Sequence, residues 1–193
     1  LQQMLSSVKP AKARGHEVTV REILDEAAAG LDGRFDDDAE VEAAIRFTVG
    51  DSYQALGEYE TAIPFLERAV EIRRTELPAG DPRLGDALNV LGMAYWLSGD
   101  LERSLRCSEE ILALREAEFG TEHVKYSQAL GDSANVLADM GDLEKAEEIQ
   151  RQALEIERRV LVGDDRVDLV YTTNNLASVL ADQGRYEEAI ELH

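Results

Sequence analysis

The sequence predicts an all-α, right-handed solenoid of about four helical hairpins. Four similar turns recur, and their glycines, Gly57, Gly99, Gly141 and Gly184, are spaced by 42, 42 and 43 residues. A small residue stands seven positions before each of these glycines and another stands five positions after it. Hydrophobic residues make up 44% of the 193 residues but aromatic residues only 6%, a mix that favours closely packed helices over a β-sandwich.

The small residues indicate where two antiparallel helices approach each other. Those before the turns are Gly50, Gly92, Ala134 and Ala177, and those after the turns are Ala62, Ser104, Ala146 and Ala189. Apolar residues continue the pattern at helical spacing on both sides of each turn. A fixed period with matched small residues is typical of a repeat protein, whereas a helical bundle without repeats would not require it.

The domain organisation follows from the period. We expect an array over residues 35–193, with hairpins over about residues 39–80, 81–122, 123–165 and 166–193. The last hairpin is expected to be incomplete and the chain to be a piece of a longer protein. The apolar face exposed at this C-terminal end is expected to associate with another copy of the chain. Residues 1–34 are expected to form a helical segment of one or two helices that packs on the array. Within it, Thr19 and Glu22 have the spacing of a capping box.

The second hairpin contains Leu91-Gly92, Tyr95, Gly99 and Leu101, a pattern that resembles the tetratricopeptide repeat. The 42-residue period and the run Asn174-Asn175-Leu176-Ala177 are similar to the kinesin-light-chain variety of that repeat. The resemblance implies a superhelix that binds other polypeptides. Ser133 and Gln150 depart from the pattern because they stand at positions that are usually apolar.

The N-terminal segment carries a second resemblance. Residues Pro10-Ala11-Lys12-Ala13-Arg14-Gly15 and the run from Val18 to Asp25 are similar to the segment that opens the tetratricopeptide region of many bacterial eukaryotic-like serine/threonine protein kinases. In those proteins the segment follows the kinase domain, often after a transmembrane helix. This resemblance implies an accessory region of a kinase-like parent. A cytoplasmic location is then expected, or an extracytoplasmic one if a membrane span precedes residue 1.

The formal net charge of −20 bears on the partners. Such an acidic surface repels the phosphates of nucleic acids and anionic lipid heads. We therefore expect a neutral or basic protein or peptide partner, no nucleic acid, and no membrane contact by this segment.

No residue pattern predicts catalysis. The chain contains none of the kinase motifs Gly-x-Gly-x-x-Gly, His-Arg-Asp or Asp-Phe-Gly. Its three histidines are far apart, so no metal site is expected, and His123 is interpreted as a solvated or capping residue. The acidic runs at residues 36–38 and 164–168 are interpreted as helix caps. Cys107 is expected to pack as a small apolar residue. No cofactor and no enzymatic activity are predicted for this chain.

Helical geometry places one set of side chains on the face that a curved array would present to a partner. Aromatic and apolar members would contact side chains, amides would bond a peptide backbone, and no Lys or Arg is expected among them. The predicted groove residues are Phe47, Asp51, Gln54, Asp86, Asn89, Met93, Trp96, Gln128, Asn135, Asp139, Tyr171, Asn174, Ser178 and Asp182. The alternative is a structural spacer or self-association module without a peptide ligand.

Overall fold

The computed structural model describes residues 19–31, 38–161 and 167–192, and every regular element in these ranges is an α-helix. The helices are α1 (Val20–Ala29), α2 (Ala39–Ala55), α3 (Tyr59–Glu76), α4 (Pro82–Ser98), α5 (Leu101–Phe119), α6 (Val124–Asp139), α7 (Leu143–Val160), α8 (Val167–Asp182) and α9 (Tyr186–Glu191). None of these described helices combines the length and apolar character needed to cross a bilayer. Residues 1–18 of the expected N-terminal helical segment and the caps expected at residues 36, 37, 164 and 165 lie outside the described residues.

The chain divides into two compact units, residues 1–98 and 99–193. In the first unit α1 packs on α2, α2 on α3, and α3 on α4, and α2 also contacts α4. In the second unit each helix from α5 to α9 packs on the next, and α6 also contacts α8. Contacts between neighbours in the chain are typical of stacked hairpins, and the predicted all-α solenoid class is confirmed.

The repeated turns share one backbone geometry. The N–H groups of Glu58, Asp142 and Arg185 each donate to the carbonyl five residues earlier, at 2.9–3.0 Å. The preceding glycines, at 57, 141 and 184, have φ between 78° and 86°, in the left-handed region that favours glycine. This is the Schellman arrangement, which satisfies the last carbonyls of one helix while reversing the chain. The predicted breaks at these glycines are confirmed.

Side chains cap several helix N-termini as the sequence predicts. Thr19 and Glu22 form the predicted capping box at α1. The Asp38 carboxylate accepts from the Val41 N–H at 3.2 Å at α2, and the His123 imidazole Nδ1 accepts from the Lys125 N–H at 3.1 Å at α6. The His123 ring also stacks on Phe119. The capping interpretations of Asp38 and His123 are therefore confirmed.

In the first unit, α2 and α3 approach each other through Gly50. A Cβ atom built on Gly50 would lie 2.6 Å from Leu66 Cγ, so the absence of a side chain is what admits Leu66. Leu66 and Ala62 are fully buried at this crossing. The small residue predicted before the first turn therefore serves close packing.

Two tyrosine–carboxylate bonds relate α1 to the repeats. Tyr53 Oη donates to Asp25 of α1 at 2.6 Å, and Tyr95 Oη donates to Glu67 of α3 at 2.5 Å. Both pairs span 28 residues, and the second lies 42 residues after the first, which is the repeat period. Helix α1 therefore holds the position against α2 that α3 holds against α4. The sequence pattern predicts a segment separate from the repeats and does not indicate this register.

The second unit buries more polar side chains than the pattern suggests. Gln150 is fully buried, and its Nε2 donates to the Gly131 carbonyl at 3.2 Å and to Asn135 Oδ1 at 3.0 Å. Glu157 is 1% exposed and accepts from the hydroxyls of Ser127 and Thr172 at 3.2 and 2.9 Å. These bonds explain how Gln150 occupies a usually apolar position, because its amide donor is satisfied. Cys107 is buried, as expected for a small apolar residue.

Candidate functional site

The first unit exposes an apolar stripe on α4. Met93, Trp96 and Leu97 are 43%, 40% and 43% exposed, and their spacing of three and four residues places them on one side of the helix. The opposite side is buried through residues such as Leu88 and Leu91. The structure therefore brings together the apolar groove residues predicted for α4. It leaves them partly accessible, as a protein contact surface requires.

Acidic and amide side chains accompany this stripe. Asp51 on α2 and Asp86 and Asn89 on α4 are exposed, and Gln54 is half-buried. Neither Asp51 nor Asp86 forms an ion pair with another described residue. Asp86 nevertheless interacts electrostatically with the buried guanidinium of Arg73.

Phe47 differs from the prediction. The Arg73 guanidinium of α3 lies 4.6 Å from the Phe47 ring centroid and covers one face of the ring. The predicted groove set contains no Lys or Arg, but a basic side chain from a different helix contacts one of its members. Arg73 is 6% exposed and donates from Nη1 to the Arg83 carbonyl at 2.9 Å, and its burial lowers the pKa of the guanidinium. Phe47 is half-buried and acts as a packing partner of Arg73 rather than as an open aromatic contact.

The neighbouring Arg83 is held by acidic residues. Its guanidinium bonds Asp81 at 2.7 Å and Glu40 at 2.6 Å. Hydrogen bonds from Arg83 lower the pKa of the Asp81 carboxyl to about 2. Arg83 is therefore already engaged by two carboxylates, whereas neither Asp51 nor Asp86 forms an ion pair with another residue that the structure describes.

The second unit presents a more polar face. Tyr171, Asn174, Ser178, Asp139 and Asp182 are exposed, and Gln128 is half-buried. Asn135, which is predicted to bond a peptide backbone, is half-buried, and its Oδ1 accepts from Gln150 Nε2 at 3.0 Å.

Asp132 on α6 lies outside the predicted groove set. Its carboxyl keeps an exposed edge but is otherwise surrounded by protein, and this desolvation raises its pKa. Among the described residues, no three His, Cys, Asp or Glu side chains come close enough together to hold a metal ion.

Comparison with known proteins identifies the repeats. A tetratricopeptide repeat model matches residues 83–159 and again residues 128–193, and a second tetratricopeptide repeat model matches residues 43–76. The chain belongs to the tetratricopeptide repeat family. The predicted resemblance to this family is confirmed, and repeat proteins of this kind are consistent with a scaffold for protein–protein interactions.

Several tetratricopeptide relatives are of the kinesin-light-chain type. Over 149 residues the chain is 28% identical to Protein KINESIN LIGHT CHAIN-RELATED 1 of Arabidopsis thaliana. The alignment covers 72% of this chain and 23% of the plant protein. The chain thus spans about a quarter of that relative's length. The predicted kinesin-light-chain variety of the repeat is supported.

Solved structures share the fold. A putative kinesin light chain of Podosopora anserina superimposes with a TM-score of 0.66 at 21% identity, covering 78% of this chain and 72% of that one. BtubC (BKLC) from P. vanneervenii superimposes with a TM-score of 0.71 at 20% identity, covering 89% of this chain and 68% of that one. At these identities the likeness concerns the fold alone.

Proposed function

We propose that this tetratricopeptide chain is a scaffold that binds a neutral or basic peptide segment of a partner protein on the exposed faces of its groove-lining helices. The observation that carries the proposal is the α4 stripe of Met93, Trp96 and Leu97. Tryptophan is enriched among the residues that carry most of the binding energy at protein interfaces, and methionine is enriched at interfaces generally.

Charge supports the class of partner. Asp51 and Asp86 lie exposed in the same unit without ion-pair partners among the described residues, and the chain carries a net charge of −20. A Lys or Arg beside the apolar anchor of a peptide would gain attraction that is screened by salt. An acidic peptide would meet repulsion at the same positions.

We further propose that the chain is the accessory region of a bacterial serine/threonine kinase-like protein, where it would recruit substrates or regulators. The support is the resemblance of residues 10–25 to the segment that opens such regions. Mass spectrometry of the intact cellular polypeptide, captured with an antibody to this chain, tests the proposal. Peptides with kinase catalytic motifs from the same polypeptide would support it, and a complete polypeptide without them would contradict it.

A spacer or self-association module is the second candidate function, favoured by the general acidity and the polar face of the second unit.

The direct test of peptide binding titrates the chain with one apolar heptapeptide in two versions, flanked by Lys/Arg or by Asp/Glu. Trp96→Ala should weaken binding of the basic version by roughly 2 kcal/mol or more, because aromatic anchors at an interface centre carry a large share of its energy.

Met140→Ala is the matched control, since Met140 is similarly exposed (42%) but lies at the α6–α7 turn. It should leave the affinity unchanged. Tighter binding of the acidic peptide, or equal affinities of the Trp96→Ala variant and the parent chain, would favour the spacer.

A further inference from the structure

Helix α2 carries two hydrogen-bond acceptors side by side. Asp51 is exposed and Gln54 is half-buried, and their spacing of three residues makes them neighbours on one side of the helix. The Gln54 Oε1 atom is shielded from solvent and has no hydrogen-bond donor within the part of the chain that the structure describes. Asp51 forms no ion pair there either. A shielded acceptor without a donor is unfavourable, so this pair would gain from a bound group that donates hydrogen bonds.

The repeat period places this acceptor pair next to the apolar stripe on α4. Met93 and Trp96 follow Asp51 and Gln54 by 42 residues, so the two sets hold equivalent positions on the first helices of two successive hairpins. Helices α2 and α4 are in contact and belong to the same unit. Since helices in contact lie about 8–10 Å apart, the acceptor pair lies at about this lateral distance from the stripe.

Asp51 and Asp86 differ in the charges around them. The positions three and four residues from Asp51 on α2 are all uncharged, and so are their equivalents on α4. Asp86, by contrast, interacts electrostatically with the buried guanidinium of Arg73, and Arg83 lies one turn before it on α4. A cation beside Asp86 would therefore meet positive charges that are absent from these positions around Asp51.

We propose that Asp51 and Gln54 form a subsite that binds a Lys or Arg side chain of the ligand, while the α4 stripe holds the ligand's apolar anchor. This inference rests on the proposed function and adds which of the two aspartates recognises the basic residue. A Lys or Arg head group offers several N–H donors and no acceptor, which complements two acceptors without donors. The ligand then crosses from α4 to α2 instead of running along α4.

The distance between the two subsites sets the spacing within the ligand. An extended peptide advances about 3.3 Å per residue, so about three residues bridge the gap of about 8–10 Å between α4 and α2. The basic residue is therefore expected about three positions from the apolar anchor. Proline linkers test this spacing, because polyproline is stiff and rises by about 3.1 Å per residue.

The probes are labelled peptides that join an apolar heptapeptide to one arginine through two prolines. They are made in both chain directions, and the direction that binds more tightly is used. One control peptide replaces the arginine by glutamine, and another lengthens the linker to six prolines. Fluorescence anisotropy at low salt gives the affinities, and thermal unfolding checks that each protein variant is folded.

The arginine peptide with two prolines should bind about three- to tenfold more tightly than either control peptide. Asp51→Asn should remove most of this preference. Asp86→Asn changes the net charge by the same amount and should have the smaller effect, reducing the preference by less than about twofold. Gln54→Met keeps the length of the side chain but lacks the acceptor, and it should reduce the preference by about two- to fivefold without changing the affinity for the glutamine peptide.

The outcomes separate this inference from the proposed function. Equal effects of Asp51→Asn and Asp86→Asn, or equal binding of the peptides with two and six prolines, would overturn the subsite. The proposed function would stand in either case if Trp96→Ala still weakened binding of every peptide. Unchanged arginine binding by Gln54→Met would also overturn the subsite, since Gln54 would then serve packing alone. Failure of all peptides to bind, or binding that ignores Trp96→Ala, would overturn both proposals.

Discussion

The hairpins α2–α3 and α6–α7 follow one register but are filled by different chemistry. Gln150 follows Leu66 by 84 residues, twice the 42-residue period, and both side chains are fully buried. In α2–α3 the leucine fits against the bare backbone of Gly50. In α6–α7 the amide bonds a backbone carbonyl and Asn135. A close crossing of two helices can therefore be stabilised by steric fit or by hydrogen bonds at the same position.

The buried charges of the two hairpins are opposite. Glu157 follows Arg73 by the same 84 residues. The two hydroxyls that donate to Glu157, those of Ser127 and Thr172, correspond to Ala43 and Ala87 in the first unit, where a carboxylate would find no such donor. Arg73 instead donates to a backbone carbonyl and covers Phe47. A buried charge must be satisfied by neighbouring polar groups. The two hairpins therefore differ both in the charged residue and in the residues that contact it.

The largest expected loss of stability comes from placing the residue of one hairpin at the equivalent position of the other, at Leu66 and at Gln150. Leu66→Gln replaces the leucine that packs beside Gly50 with a buried amide, and the residue equivalent to Asn135 is the exposed Asp51; the change should cost about 2–5 kcal/mol. Gln150→Leu leaves the Gly131 carbonyl and Asn135 without their donor and should cost about 1–3 kcal/mol. Urea unfolding followed by hydrogen exchange in each unit measures both. Equal stability of the Leu66→Gln variant and the parent would show that the two crossings are interchangeable.

Substitutions at Gly50 and Gly131 test whether the two hairpins differ in how closely their helices approach each other. Gly50→Ala places Cβ 2.6 Å from Leu66 Cγ and should destabilise the first unit by about 1–3 kcal/mol. Gly131→Ala places Cβ 3.7 Å from Gln150 Oε1, an ordinary contact, and should stabilise the second unit by roughly 0.5–1 kcal/mol because alanine favours the helix. Thermal unfolding of both variants gives the signs. Shifts of the same sign would contradict the distinction between steric and hydrogen-bonded crossings.

The smallest effect concerns the tyrosine bonds of the first unit. Burial, followed by the hydrogen bond to Asp25, raises the pKa of Tyr53 to about 12 from 10.0. The folded chain holds the hydroxyl proton of Tyr53 more tightly than the unfolded chain does. The contribution of this group to the free energy of unfolding is therefore complete below pH 10 and is lost as the pH rises toward 12.

Tyr53→Phe should cost about 1 kcal/mol near neutral pH and remove the part of the pH dependence that this residue contributes between pH 10 and 12. Urea midpoints measured across that range check both results. An unchanged pH profile in the Phe variant would mean that Tyr53 does not hold α1.

Much of the fold was predictable because local chemistry determines it. Gly57, Gly141 and Gly184 adopt the conformation that glycine favours, and Thr19 and Asp38 cap the helices that follow them. Each of these signals lies within a few residues of sequence, so it can be recognised without knowledge of the tertiary contacts.

The buried charges and the α1 register were not predictable in the same way. Arg73 and Glu157 look like ordinary solvent-facing residues in a helical pattern, and their partners lie 10 to 30 residues away. Asp25 bonds Tyr53 across 28 residues, which the hydrophobic pattern does not encode. On the candidate site, the exposure of Trp96 and Met93 agrees with their predicted face, while the covering of Phe47 by Arg73 depends on a contact from another helix.

The 28-residue tyrosine links bear on how the chain is made. Each joins a helix to the one that follows it, so the loop that must close is short and its entropic cost is small. A chain dominated by such contacts has low contact order and folds rapidly. Because folding during synthesis proceeds from the N-terminus, we expect the Tyr53–Asp25 bond to form before the Tyr95–Glu67 bond, which lies one period later in the chain. The first unit can therefore assemble helix by helix as it is translated, without waiting for residues beyond 98.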